Sequence, residues 1–171
     1  MKFRLLLISV ILNFGLISCT TFGTVAEDGS IETRVDDLLE PIEDANPPAF
    51  IGVKSHNLYV LVYGQVPNQA VFDEVSQTIT GVPEIRKVFN ELRIADPEAV
   101  SDMNDSWITT KLRSSLVAEK GLDSKRITVL TENGEVFLMG LVTRAEADKA
   151  TLIARNISGV TKVVKIFEYI D

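Results

Sequence analysis

The chain has 171 residues, with 17 Lys and Arg against 24 Asp and Glu, a net charge of −7, one His and one Cys. That acidic balance argues against nucleic-acid binding, which needs a basic footprint. A single cysteine leaves no disulfide framework, so apolar cores must hold any fold together.

The N-terminus reads as an export signal. Lys2 and Arg4 precede an apolar run over Leu5–Ile17, and Leu16-Ile17-Ser18-Cys19 closes it. Charge, apolar stretch and small residue in that order are the marks of a secretory signal. The run is short of the roughly 20 apolar residues that span a bilayer. A cysteine at the first mature position resembles the lipobox of bacterial lipoproteins, which implies acylation of Cys19 and removal of residues 1–18. Thr20 rather than Asp after that cysteine implies sorting to the outer membrane. Each buried acyl methylene contributes about 0.8 kcal/mol, so several chains give an essentially permanent anchor. Residues 19–26 read as an acylated tether, with Thr20-Thr21-Phe22-Gly23 its flexible start. Removing Lys2 and Arg4 leaves 15 bases against 24 acids, a net of −9.

The rest contains an internal repeat. Ile31–Leu39 aligns with Ile108–Leu116, Val60–Val66 with Val136–Val142, and Ile79-Thr-Gly-Val82 with Ile157-Ser-Gly-Val160, at offsets of 76 to 78 residues. Each copy predicts the same elements in order. A helix comes first, with Ile108, Leu112 and Leu116 as its apolar stripe in copy two and Asp105 or Ser106 as its N-cap. Gly121 suits the end of that helix. A hairpin follows: Ile127–Thr131 and Glu135–Leu141 flank Asn133-Gly134, a strong turn signal. In copy one Phe50–Lys54 and Leu58–Val66 flank Ser55-His56-Asn57. A second helix is marked by Phe72, Val75 and Ile79, and by Ala150, Ile153 and Ile157, with Gly81 and Gly159 stopping it. A last strand covers Glu84–Ile94 in copy one and Thr161–Ile170 in copy two. Copy one spans 27–95, a polar connector 96–104, and copy two 105–171. Units this small bury little core, which invites the copies to pack on each other. Residues 27–95 carry 12 acids and 5 bases, and residues 101–171 carry 10 of each.

The αββαβ order, the Gly in the second strand and the Gly-Val before the third resemble the BON domain (bacterial OsmY and nodulation). Asp105–Leu112 and Thr131–Val142 carry the resemblance most strongly. A lipobox followed by two such domains resembles the dual-BON outer-membrane lipoproteins. The implied fold class is α+β, two tandem BON domains, each with two helices on a three-stranded sheet. The resemblance also implies a non-catalytic protein facing the periplasm. It would bind an anionic, phosphatidylglycerol-like phospholipid, gather at the division site and support envelope integrity.

Candidate residues follow. Trp107, the sole tryptophan, lies one residue off the buried stripe, turned about 100° from it, with Lys111 a turn away and Arg113 nearby. An amphipathic indole beside cations suits a headgroup region, though it also suits a core edge or a contact with copy one. In the resembling family this helix faces lipid, which implies lipid-binding roles for Trp107, Thr110, Lys111, Arg113, Ser114 and Lys120. Lys125 and Arg126 are weaker candidates, equally read as solvated charge. His56 reads as a surface turn residue without catalytic or metal partners. The acidic pairs Asp36/Asp37, Glu43/Asp44 and Asp73/Glu74 read as solvated charge, since neighbours on a helix diverge. No cofactor, metal or nucleophile motif is found. A competing reading makes copy one's acidic surface a docking site for an envelope protein partner.

Overall fold

In the computed structural model, residues 20–95 and 102–171 are described. Cys19, the export signal 1–18 and most of the connector lie outside them. Copy one contains α1 (Thr20–Ala45), β1 (Phe50–His56), β2 (Tyr59–Val66), α2 (Gln69–Ile79), β3 (Lys87–Asn90) and β4 (Arg93–Ile94). Copy two contains α3 (Asp102–Ala118), a 3₁₀ turn over Ser124–Arg126, β5 (Ile127–Glu132), β6 (Glu135–Val142), α4 (Arg144–Arg155) and β7 (Lys162–Tyr169). The expected αββαβ unit occurs twice, and the fold is α+β.

β2 and β6 are the central strands. Each pairs antiparallel with the strand before it and parallel with the last strand of its copy. The last strand of copy one, expected as one piece, is broken at Glu91-Leu92. Both parts keep one register on β2, Tyr59 with Lys87 and Gln65 with Arg93. The Asn90 side chain accepts from Leu92 N–H at 3.2 Å, which satisfies the backbone at the break.

Three apolar clusters hold the molecule. Ile31, Val35 and Leu39 of α1 and Val71, Val75 and Ile79 of α2 pack on Val60, Val62 and Val66 of β2. Ile108, Leu112 and Leu116 of α3 and Ala147, Ala150 and Ala154 of α4 pack on Val136, Leu138 and Val142 of β6. The alternate residues of β2 and β6, with Ile166 of β7, form the third: Leu61 with Phe137, Met139 and Ile166, flanked by Tyr59, Tyr63, Phe89, Leu130 and Val164. Side chains alternate across a strand, so each sheet buries both faces. The layers run helices, sheet, sheet, helices, and the two copies share a buried apolar sheet-to-sheet core. Polar contacts ring it. Arg86 reaches both carboxylate oxygens of Glu168 at 2.8 and 2.7 Å, Lys162 reaches Glu91 at 3.3 Å, and His56 Nδ1 lies 3.0 Å from Thr128 Oγ1.

Four local expectations are corrected. α1 is already helical from Thr20, so residues 20–26 continue the first helix where a flexible tether was expected; no proline interrupts them. α3 starts at Asp102, inside the expected connector, so neither Asp105 nor Ser106 is its N-cap. Asp105 is buried within the helix, and its carboxylate accepts from the turn N–H groups of Asn133 and Gly134, the latter at 2.8 Å. Asp28 does the same in copy one, holding Asn57 N–H at 2.7 Å and Leu58 N–H at 2.8 Å. The copy-one turn therefore closes on Asn57-Leu58, with His56 opposite Tyr59, and Leu58 takes the left-handed position (φ 65°) that Gly134 takes in copy two (φ 75°). His56 accordingly ends β1 at the seam between the copies, where a surface turn was expected. On α2 the buried stripe is Val71, Val75 and Ile79, with Phe72 at its margin.

The strand glycine of each copy has one cause. A Cβ on Gly64 would run into the carbonyl oxygen of Phe50, and one on Gly140 into that of Arg126. The edge strand crosses too closely for any side chain there.

Candidate lipid-contact face

α3 places its residues by simple periodicity. Ile108, Leu112 and Leu116 are fully buried, which fixes the helix roll. Trp107, Thr110, Lys111 and Ser114 then share the outward face, at i, i+3, i+4 and i+7. All four are exposed, and Trp107 keeps half its surface in solvent. It belongs to none of the buried clusters, and α3 packs on the sheet face opposite the seam with copy one. Val117, 72 % exposed, extends the stripe. The Ser114 and Ser115 hydroxyls donate back to Thr110 O and Lys111 O at 2.9 and 3.0 Å, so they do not add free donors to the face. Such back-bonding is the usual resort of serine within a helix.

The ion pairs among the described residues leave Lys111, Lys120 and Lys125 without a carboxylate partner. Arg113 is exposed at the flank and donates to Val129 O at 3.1 Å, which holds it over β5. Lys120 lies beyond the helix end, where its carbonyl accepts from Lys149 Nζ at 2.8 Å. Of the six candidates, Trp107, Thr110, Lys111 and Ser114 are thus brought onto one face. Arg113 and Lys120 border it.

Copy one has no such face. The aligned helix places Ser30 at the position of Trp107, Arg34 at Lys111 and Asp37 at Ser114. Arg34 is tied to Glu84 at 3.1 Å. The remaining acids divide into two groups. Glu32 and Glu43 accept from the outward backbone N–H of Ser55 and Ile51 on β1, at 2.8 and 3.0 Å, so Glu43 is structural rather than simply solvated. These bonds blunt an edge strand that would otherwise present free donors. Asp36, Asp37, Glu40 and Asp44 stay exposed, and Asp36, Glu40, Glu43 and Asp44 line a groove with Phe50 and Tyr63. Burial and the carboxylates of Glu132, Glu32 and Asp36 push the Tyr63 phenol up. Asp73 and Glu74 are exposed on α2.

Among the described residues there is no group of His, Cys, Asp and Glu able to hold a metal ion, and no helix is long and apolar enough to cross a membrane. At His56, burial outweighs the neighbouring Asp28 and Glu168 and lowers the imidazole from its usual value of 6.5.

The arrangement is that of a repeated αββαβ module, and comparison with known proteins agrees. The BON domain family model matches residues 27–96 and 104–171, so the chain belongs to the BON-domain family. It is 36 % identical over 152 residues to the outer membrane lipoprotein DolP of Haemophilus influenzae, covering 88 % of this chain and 79 % of that protein. It is 36 % identical over 150 residues to the 21 kDa hemolysin of Actinobacillus pleuropneumoniae, covering 87 % and 77 %. With the osmotically inducible protein Y of Escherichia coli K12 it shares 28 % identity over 150 residues, covering 85 % and 74 %. Two BON domains and these similarities define a DolP-like, dual-BON chain. They support an outer-membrane lipoprotein and point to a non-catalytic one.

Proposed function

We propose that this protein is anchored through acylated Cys19 in the outer membrane, facing the periplasm, and reads anionic phospholipid through the outward face of α3. The observation that carries the reading is the half-exposed Trp107 one helical turn from Lys111, which has no ion pair among the described residues. An indole at a headgroup boundary keeps its ring in apolar surroundings and its N–H wet. A lysine near an anionic leaflet adds about 1 kcal/mol. The contrast between the copies supports the choice of α3: copy one replaces the indole with Ser30, ties its cation to Glu84 and is acidic elsewhere. Repulsion from anionic lipid acts within a Debye length, which disfavours that copy as the contact.

Tethering supplies the rest. An anchored protein meets headgroups at high effective concentration, so a weak preference suffices to steer it toward anionic regions such as a division site. Concentration there is how the protein would support envelope integrity. Co-sedimentation of the unlipidated protein with phosphatidylglycerol vesicles tests this. Trp107→Ala and Lys111→Glu should each weaken binding, the former by roughly tenfold if about 1.5 kcal/mol of apolar burial is lost. Unchanged binding in both would overturn the reading.

The acidic groove beside β1 favours a second reading, in which Asp36, Glu40 and Asp44 dock a basic segment of an envelope protein. Reversing Asp36 and Glu40 to Lys should then remove a co-purifying partner and leave vesicle binding intact.

A further inference from the structure

The end of α1 nearest Cys19 meets copy two. Val25, 69 % exposed, lines a recess with Asp28, His56, Asn57, Lys125, Arg126 and Leu141, so the first turns of α1 stand beside the 3₁₀ turn of copy two. On its other side, Lys125 lines a second recess with Arg113 and Val117 of α3. Lys125 is therefore the link between the start of α1 and the outer face of α3.

The charges around it are already committed. Arg126 lies 3.6 Å from Glu146 and 4.0 Å from Asp123. The Asp28 carboxylate is taken up by the hairpin turn and the Ser55 hydroxyl, the latter at 2.6 Å. The Asp123 side chain accepts from the Lys125 backbone N–H at 3.2 Å. The exposed Lys125 ammonium keeps no ion pair among the described residues. Strand register pairs Ile127 with Gly140 and Ile51 with Gly64, which sets Ala49 at the place of Lys125. The cation is peculiar to copy two.

We infer that Lys125 is a second phospholipid-headgroup contact, made at the junction of the two copies, which sets the tethered molecule on the bilayer with the start of α1 and the outer face of α3 toward it. The occupant is argued from charge and chain length. Val25 follows Cys19 by six positions, at most about 20 Å of chain, so an anchor at Cys19 keeps this corner near the headgroups. An unpaired ammonium there has an anionic surface as its neighbour, with no change of shape required. The inference rests on the lipid-binding reading above, and the test separates the two.

The acylated protein is placed in phosphatidylglycerol nanodiscs containing a headgroup nitroxide lipid, and amide line broadening is read along the chain. Broadening at Val25, Lys125 and Trp107, with Asp73 and Glu74 sharp, is the expected result. Broadening at Trp107 with Val25 and Lys125 sharp overturns the second contact and leaves the α3 reading standing. No broadening at any of them overturns both. Lys125→Gln in the unlipidated protein should also weaken phosphatidylglycerol vesicle binding by about fivefold and leave its thermal midpoint unchanged. An equal loss on zwitterionic vesicles would count against a headgroup contact.

Discussion

Single residues decide the geometry of each hairpin. Asn133 and Gly134 both sit at positive φ, and a Cβ on Gly134 would come within 2.9 Å of the Gly159 carbonyl oxygen. Gly134→Ala should therefore cost about 1–2 kcal/mol from the left-handed conformation alone, plus the clash, measured by urea unfolding. Asp105 is the other half of the device, a buried carboxylate whose acceptors are both used by turn amides. Asp105→Ala leaves those N–H groups without a partner and should destabilise by about 1–3 kcal/mol. Trp107→Ala should behave in the opposite way, with stability nearly unchanged and lipid binding weakened about tenfold, because its ring is half in solvent.

At the scale of elements, helices and strands were legible from periodicity because apolar residues recur where the cores need them. The buried stripes of α1 and α3 were plain in the chain, and so was Asn133-Gly134. The turn at Asn57-Leu58 was not, because a leucine at positive φ is a rare choice that only the Asp28 bonds and the strand register explain. The cap of α3 was misplaced for a related reason: an aspartate near a helix start signals a cap, and nothing local says that it instead reaches a turn 28 residues away. The roll of α3 followed from its stripe, so Trp107 could be placed outward. Its freedom from copy one could not, since that depends on which faces of the two sheets meet.

For the whole molecule, the missed signal lay in the central strands. Val60-Leu-Val-Tyr and Val136-Phe-Leu-Met are apolar at every position, the mark of a strand covered on both sides, whereas a sheet with one wet face would alternate. The shared core should make the two copies unfold together, so Phe137→Ala should cost about 3–5 kcal/mol and lower the midpoint of a single calorimetric transition. Two separate transitions in the parent protein would contradict that coupling. The seam should also respond to acid. Burial holds His56 below its ordinary 6.5 and Arg86 holds Glu168 below the usual carboxylate range. Each contributes stability above its unfolded value that is lost as pH falls through the folded one. The thermal midpoint should therefore start to fall below about pH 6.5, and His56→Gln should flatten the first part of that fall.

The central claim, that α3 is the part of this body that enters the headgroup region, can be read from one intrinsic probe, since Trp107 is the sole tryptophan. Its fluorescence is recorded while the unlipidated protein is mixed with vesicles whose acyl chains are brominated. Quenching in phosphatidylglycerol and none in phosphatidylcholine is the predicted result. A protein shown by sedimentation to be bound to phosphatidylglycerol, yet with an unquenched Trp107, would contradict it.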